Sequence, residues 1–479
     1  MLRKIILTGI GLLFVGASRF GFNLASINSL GEETTGTLNL IFSTALLIGL
    51  PTVAFSNAAT VRFIAKSRGE DRPRTADWIY RRLYIANAVS VLLCIGLLHL
   101  FSEKTASWLN LQTASLSYAY LIAIAYVFYQ FARHALYAGD QVGIATLLEI
   151  ISGLVFFASL GLMIVFQTGE NLVLCFAIGY LVFVVGSSWV QRSRWRTSCT
   201  AEDKIPQKEI LSFSALALLG TTASMSVNEL AIIFAGDVGD LSGAAFMGLC
   251  ASALVALQLL PRMLRTVLFA ESSELDGVGD HDKLTRLTTE CNHWILLINI
   301  PICVAMALIA GPILEVMGTE VTPERILAFQ FLIGASLVAI IGMAASNVLP
   351  GIGDLKTPVL ASISGLLITL ALWWWTTEHW GLVALAFGLF ANAIIKTTIA
   401  ILVLKKRMPV EMSKSPGALA ILSLISIFAL VGSYLSEISA WWILAAYSLA
   451  ILIVLRKNLA ELIEIVQLRV QQKSASSAA

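Results

Sequence analysis

Residues 211–275 read LSFSALALLGTTASMSVNELAIIFAGDVGDLSGAAFMGLCASALVALQLLPRMLRTVLFAESSEL. Two apolar runs, near 210–235 and 243–269, are separated by a short Gly-rich break. Each reaches the roughly 20 residues that a helix needs to cross a bilayer core of about 30 Å. Lys204 and Lys208 precede the first run, and Arg262 and Arg265 close the second. Cations at one end of a greasy hairpin mark two membrane crossings with that end in the cytoplasm. The stretch sets the class as all-α integral membrane protein, and the rest of the chain repeats the pattern.

Working outward, windows of the same size place fourteen spans near 5–27, 37–62, 83–101, 116–138, 143–166, 171–190, 210–235, 243–269, 293–311, 326–349, 357–376, 381–404, 417–435 and 440–456. Of 479 residues, 57% are apolar and 13% charged, and the mean hydropathy is +0.83. Such a composition cannot fold around one water-facing core. The 32 Lys and Arg against 30 Asp and Glu leave a net charge of +2, which points to no nucleic-acid partner. Their placement is the informative part. Among the cations, Lys104 and Arg325 fall in outer loops and Arg19 and Lys396 inside spans, while every other one lies in a cytoplasmic stretch. The bias fixes an even span count with both ends in the cytoplasm. The localisation expected is multi-pass in the cytoplasmic (inner) membrane. Arg3 and Lys4 precede an apolar run, Ile5 to Asn28, that is too long for a signal peptide and reads as a retained first helix.

The halves of the chain resemble one another. Pro51 corresponds to Pro261 at an offset of 210, Ile151-Ser152-Gly153-Leu154 to Ile363-Ser364-Gly365-Leu366 at 212, and Gly139-Asp140 to Gly353-Asp354 at 214. Gly36 matches Gly243 and Gly179 matches Gly388 at offsets of 207 and 209. Six spans per copy is an even number, so the copies run parallel and form two pseudo-symmetric six-helix lobes around a central cavity. The organisation expected is an N-lobe over 1–196, a cytoplasmic linker over 197–209, a C-lobe over 210–404, a linker over 405–416, two additional helices over 417–456 and a cytoplasmic amphipathic tail over 457–479. In the tail, Leu459, Leu462, Ile463 and Val466 recur at helical spacing; a continuation of the last span fits the same pattern.

The longest outer loops, about 102–115 and 312–325, leave no room for an extracellular catalytic domain, and no G-x-x-x-x-G-K-[ST] phosphate loop occurs. No catalytic residue and no metal ligand set is assigned. Six cysteines show no paired spacing and read as packing residues. The stretch over 211–275 and the span 4 to 5 stretch RHALYAGDQVGIATLLEIISGL resemble the multidrug/oligosaccharidyl-lipid/polysaccharide exporter superfamily, most closely its polysaccharide transporter branch of Wzx-type flippases. The resemblance covers about residues 1–410. It implies a secondary transporter that turns a polyprenyl-diphosphate-linked oligosaccharide (an O-antigen, capsule or exopolysaccharide repeat unit) from the cytoplasmic to the outer leaflet by alternating access. The lipid-linked oligosaccharide and the bilayer are then its partners, with a polysaccharide polymerase or chain-length machinery beyond. A cation-coupled multidrug exporter and a lipid II flippase of the same superfamily are the alternatives, with a membrane enzyme of glycan assembly behind them.

Charges inside spans carry the site reading, since each costs roughly 3 kcal/mol at the bilayer centre and needs a partner, water or a function. Arg19, with Asn23 one turn on, and Glu229, with Asn228 beside it, fall in the matching first helices of the two copies at an offset of 210. They are expected to face each other as an outer gate or a static pair, with Arg19 and Asn23 also open to substrate. Lys396 suits a diphosphate or acidic sugar, snorkels to the surface, or pairs with an acid such as Glu149. Glu149 is either a proton or sodium coupling site or a partner of Arg133. No other cofactor is expected. Pro51 and Pro261 are read as hinges in mid-span, or as prolines the membrane tolerates.

Overall fold

The computed structural model describes residues 2–451 except 70, 110, 167, 198–206, 260, 265–267, 269–271, 273, 274, 276–279, 353, 412, 413 and 436–442. Among the described residues every regular element is a helix. In chain order these are α1 (Leu2–Gly69), α2 (Pro73–Leu100), α3 (Ser102–Trp108), α4 (Thr113–Ala138), α5 (Val142–Val165), α6 (Leu174–Val190), α7 (Gln207–Val238) and α8 (Asp240–Leu257). They continue as α9 (His281–Leu308), α10 (Ala310–Val316), α11 (Pro323–Ile341), α12 (Met343–Gly351), α13 (Lys356–Arg407) and α14 (Pro416–Leu435). Nine helical stretches of the described residues are long and apolar enough to cross a membrane. α1 and α13, at 68 and 52 residues, each hold two crossings, and α8 and α14 add shorter apolar helices. Span 14 is described only over 443–451, and the amphipathic tail lies outside the described residues.

α1 is a hairpin because of one residue. Gly31 combines φ 84° with ψ 173°, a region open in practice only to glycine, and reverses the chain between limbs 2–30 and 32–69. Gly381, at φ 51° and ψ −129°, does the same within α13. Both turns lie at the end that the charge map makes the outer one.

The helices overrun the spans read from hydropathy. The window begins span 3 at residue 83, whereas α2 begins at Pro73, because a proline-started segment carrying Arg74, Asp77, Arg81 and Arg82 continues the helix outside the hydrocarbon. The two longest outer loops contain α3 and α10. Gly36 and Gly243 are helical rather than loop residues, and what they supply is closeness. A Cβ on Gly36 would run into the backbone carbonyl of Leu241 in α8. Pro261 is not in the middle of a long helix: α8 ends at Leu257, whose carbonyl would have needed the N–H that Pro261 lacks. Its repeat partner Pro51 stays inside α1 without a break.

The helices form two bundles. Limb 32–69 of α1 packs on α4, and Phe42, Phe22 and Phe156 close around Phe176 of α6 at ring distances of 4.2, 4.8 and 4.9 Å. In the second bundle, α7 and α11 both pack on α13. The repeat-related glycines do similar work: Ser152 Oγ donates to the carbonyl of Gly179 at 2.6 Å and Thr369 Oγ1 to that of Gly388 at 3.2 Å, joining neighbouring spans closely. α14 lies on α9 through Leu422 against Leu296, Ile300 and Val304. Among the described residues, α1 alone packs extensively on both α7 and α8, and the two bundles meet along it.

Candidate functional site at the seam between the bundles

Three polar tiers cross this seam. The deepest joins Arg19 to Glu229 as a two-pronged pair, Nη1 to Oε1 at 3.2 Å and Nη2 to Oε2 at 3.3 Å. By the helical rise, Arg19 lies about 18 Å inward of the Gly31 turn and Glu229 about 15 Å inward of Gly239. The guanidinium also covers the Phe42 ring at 5.0 Å. The two side chains are 19% and 12% exposed, shielded but not sealed.

One turn outward is an amide cluster. Asn23 Nδ2 donates to the Gly248 carbonyl at 3.3 Å and to Ser252 Oγ at 3.2 Å, both in α8, and Asn39 Nδ2 donates to Asn23 Oδ1 at 2.7 Å. Gly248 permits this because a Cβ there would collide with Asn39. At the outer mouth, Arg325 at the start of α11 grips Glu32, Nη1 to Oε1 at 2.9 Å and Nη2 to Oε2 at 3.0 Å. Glu32 Oε1 also accepts from the backbone N–H of Glu320 at 2.9 Å, and Arg325 Nη2 donates to Ser242 Oγ at 3.1 Å. At the opposite end, Arg62 stacks over Phe213 of α7 at 4.5 Å and Phe63 meets the same ring edge-on. The bundles thus touch at both ends, through ion pairs and amides at one and a cation on an aromatic ring at the other.

The structure brings some of the residues read from sequence together and disperses others. Arg19 and Glu229 meet. Asn23 is fully buried, and its amide is spent within the seam, so substrate could reach it only after the bundles part. Asn228 is exposed beside the pair rather than in it. Glu149 is buried against Arg133 of α4, Oε1 to Nε at 2.6 Å, within the first bundle and off the seam. Lys396 turns toward α7, its ammonium donating to Ser224 Oγ at 2.6 Å. Glu32 and Arg325 were not singled out as a pair, although Arg325 is one of two outer cations. A crevice of about 280 Å3 between α9, α11, α13 and α14 is walled by Val304, Leu327, Phe331, Phe390 and Leu430 and holds none of these charges.

Two family models match, each over slightly more than half of the chain: Lipid II flippase MurJ over residues 205–455, and Polysaccharide biosynthesis protein over residues 74–321. The chain belongs to these two families, and with them to the multidrug/oligosaccharidyl-lipid/polysaccharide exporter superfamily. It is accordingly a multi-pass membrane protein of a superfamily of flippases and transporters. No curated protein matches it by sequence. Among solved structures, lipid II flippase MurJ in an inward closed conformation superposes at a TM-score of 0.71 and 14% identity, over 97% of this chain and 100% of that one. An inward-facing multidrug resistance MATE family transporter gives 0.64 at 16% identity, over 84% of this chain and 98% of that one. A superfamily transporter from Pyrococcus furiosus gives 0.64 at 18%, over 84% and 95%. At these identities the likeness is one of fold.

Proposed function

We propose that this superfamily member flips a polyprenyl-diphosphate-linked oligosaccharide, such as an O-antigen, capsule or exopolysaccharide repeat unit, to the outer leaflet of the inner membrane by alternating access between its two bundles. The observation that carries the reading is the reach of the MurJ likeness. It takes in 97% of this chain against 84% for the multidrug transporter, so the helices beyond α13 have counterparts in a protein named as a lipid II flippase. The charges at membrane depth support it. A diphosphate entering between the bundles would compete with Glu229 for the fork of Arg19, an exchange of one anion for another that leaves no cation bare. Lys396 supplies a second cation on the opposite bundle. Glu229, once released, needs a proton or a sodium ion, and Glu149 with Arg133 is the other candidate coupling site. A polymerase or chain-length protein on the outer side would take the product.

Flipping a lipid II molecule is the second reading, favoured by the MurJ family match over residues 205–455. Reconstitution into vesicles tests both. Tagged polyprenyl-diphosphate oligosaccharide, lipid II and a cationic drug are each presented, and the fraction reaching an impermeant reagent is followed. The oligosaccharide lipid should move fastest, and Lys396→Ala should slow it at least ten-fold at equal protein level. Movement of the drug alone would remove the proposal. For orientation, a cysteine at Glu33 should label from outside the cell and ones at Arg72 and Asp280 should not.

A further inference from the structure

Limb 32–69 of α1 and the antiparallel α2 meet through polar side chains inside the first bundle. Thr52 Oγ1 and Ser90 Oγ are hydrogen-bonded at 2.9 Å. In antiparallel helices, one turn inward on α1 lies opposite one turn back on α2, so this register sets Ser56 against Asn87. Both residues are enclosed, at 0% and 1% exposure. The Ser56 hydroxyl and both ends of the Asn87 amide, Oδ1 and Nδ2, have no hydrogen-bond partner in the protein. The Ser56 carbonyl is already taken by Thr60 Oγ1 at 2.8 Å. Buried polar groups are almost always satisfied, and three such atoms in one interface require a guest.

We infer that ordered water is held between Ser56 and Asn87 and that this hydrated interface is where limb 32–69 shifts against α2. The atoms choose water over a cation. Asn87 presents both N–H donors and a carbonyl acceptor, so its guest must donate and accept; a cation would satisfy the oxygens and leave Nδ2 facing a positive charge. Nor does any ionised side chain fall within residues 52–60 or 83–91 to neutralise one. Water bridging such groups makes two to four hydrogen bonds and trades partners readily. The interface therefore holds the helices together without fixing their register. The site lies just inward of Pro51, whose missing N–H already loosens the limb. The same limb carries Gly36 and Asn39, so a shift here reaches the seam with α8.

A density map of the full chain that resolves solvent should show a peak about 2.6–3.2 Å from Ser56 Oγ and from an Asn87 amide atom. Asn87 bonded directly to Ser56 with no peak would overturn the inference, as would anomalous signal at that point in crystals grown with rubidium replacing sodium. The double variant Ser56→Ala with Asn87→Leu removes every group that needs the guest. It should lose the peak, keep or raise the thermal midpoint, and transport several-fold more slowly at equal amount in the membrane. Transport at the unaltered rate would overturn the role in movement, and a fall in midpoint with the peak retained would overturn the site.

Discussion

Arg19 and Glu229 would each be costly alone at their depth; paired, each solves the other's problem. A buried pair adds little net stability, but removing one member strands the other at about 3–5 kcal/mol. Arg19→Ala and Glu229→Ala should therefore each cut transport at least ten-fold, and the swap Arg19→Glu with Glu229→Arg should recover part of it. A double-mutant cycle on transport rate should show an interaction of about 1–3 kcal/mol; additive effects would mean that the two act separately. This pair was legible in the sequence because both residues are isolated charges at corresponding positions, offset by 210, in the matching first helices of the two halves. The pair of Glu32 and Arg325 was not, since loop charges have no hydropathy context and their meeting depends on how the bundles dock. Asp354 shows a third case. The repeated Gly-Asp was legible as duplication, but only coordinates reveal a helix cap: Asp354 accepts from Thr357 N at 3.0 Å and Oγ1 at 2.7 Å, and pairs with Arg407 at 2.9 Å. Burial pushes this carboxyl up, yet the Thr357 bonds and Arg407 outweigh it and hold it below the usual value near 3.9. Because the folded-state value is depressed, its contribution is present above about pH 4 and is lost as pH falls through the lowered value. Asp354→Ala should cost about 1 kcal/mol at neutral pH, as loss of a cap does, and flatten the acid side of a stability profile; an unchanged acid limb would contradict this.

At the scale of elements, two glycines separate conformation from closeness. Gly31 has open space where a Cβ would stand, so Gly31→Ala should cost only the strain of its backbone, about 1–3 kcal/mol in a denaturation midpoint. Gly36→Ala meets a carbonyl that cannot yield, so α1 should lift from α8. A cysteine at Asn39 should then label several-fold faster in the Gly36→Ala background than beside glycine. Hydropathy found these helices because lipid is their solvent, and missed their ends because polar turns that project into water leave no apolar window. It also placed Pro261 in mid-helix, since apolar residues on either side of a broken helix read as one span. The charged start of α2 over residues 74–82 and the amide cluster of Asn23, Asn39 and Ser252 are likewise features of packing rather than of composition.

For the whole molecule, two bundles joined along α1 can rock only if one end of the seam opens while the other holds. The outer end is closed by Glu32 with Arg325, the amide cluster, and Arg19 with Glu229; the inner end by Arg62 and Phe63 on Phe213. The substrate was not legible, because no fixed motif in the sequence specifies one, whereas the repeated features pointed to two bundles. On the proposed function, substrate leaves through the outer end of the seam. Cysteines replacing Glu32 and Arg325, joined by a short reducible bis-methanethiosulfonate, test it most directly in vesicles carrying the tagged oligosaccharide lipid. The linked protein should stop transporting and regain its rate on reduction, whereas transport at the reduced protein's rate with the link intact would contradict the account.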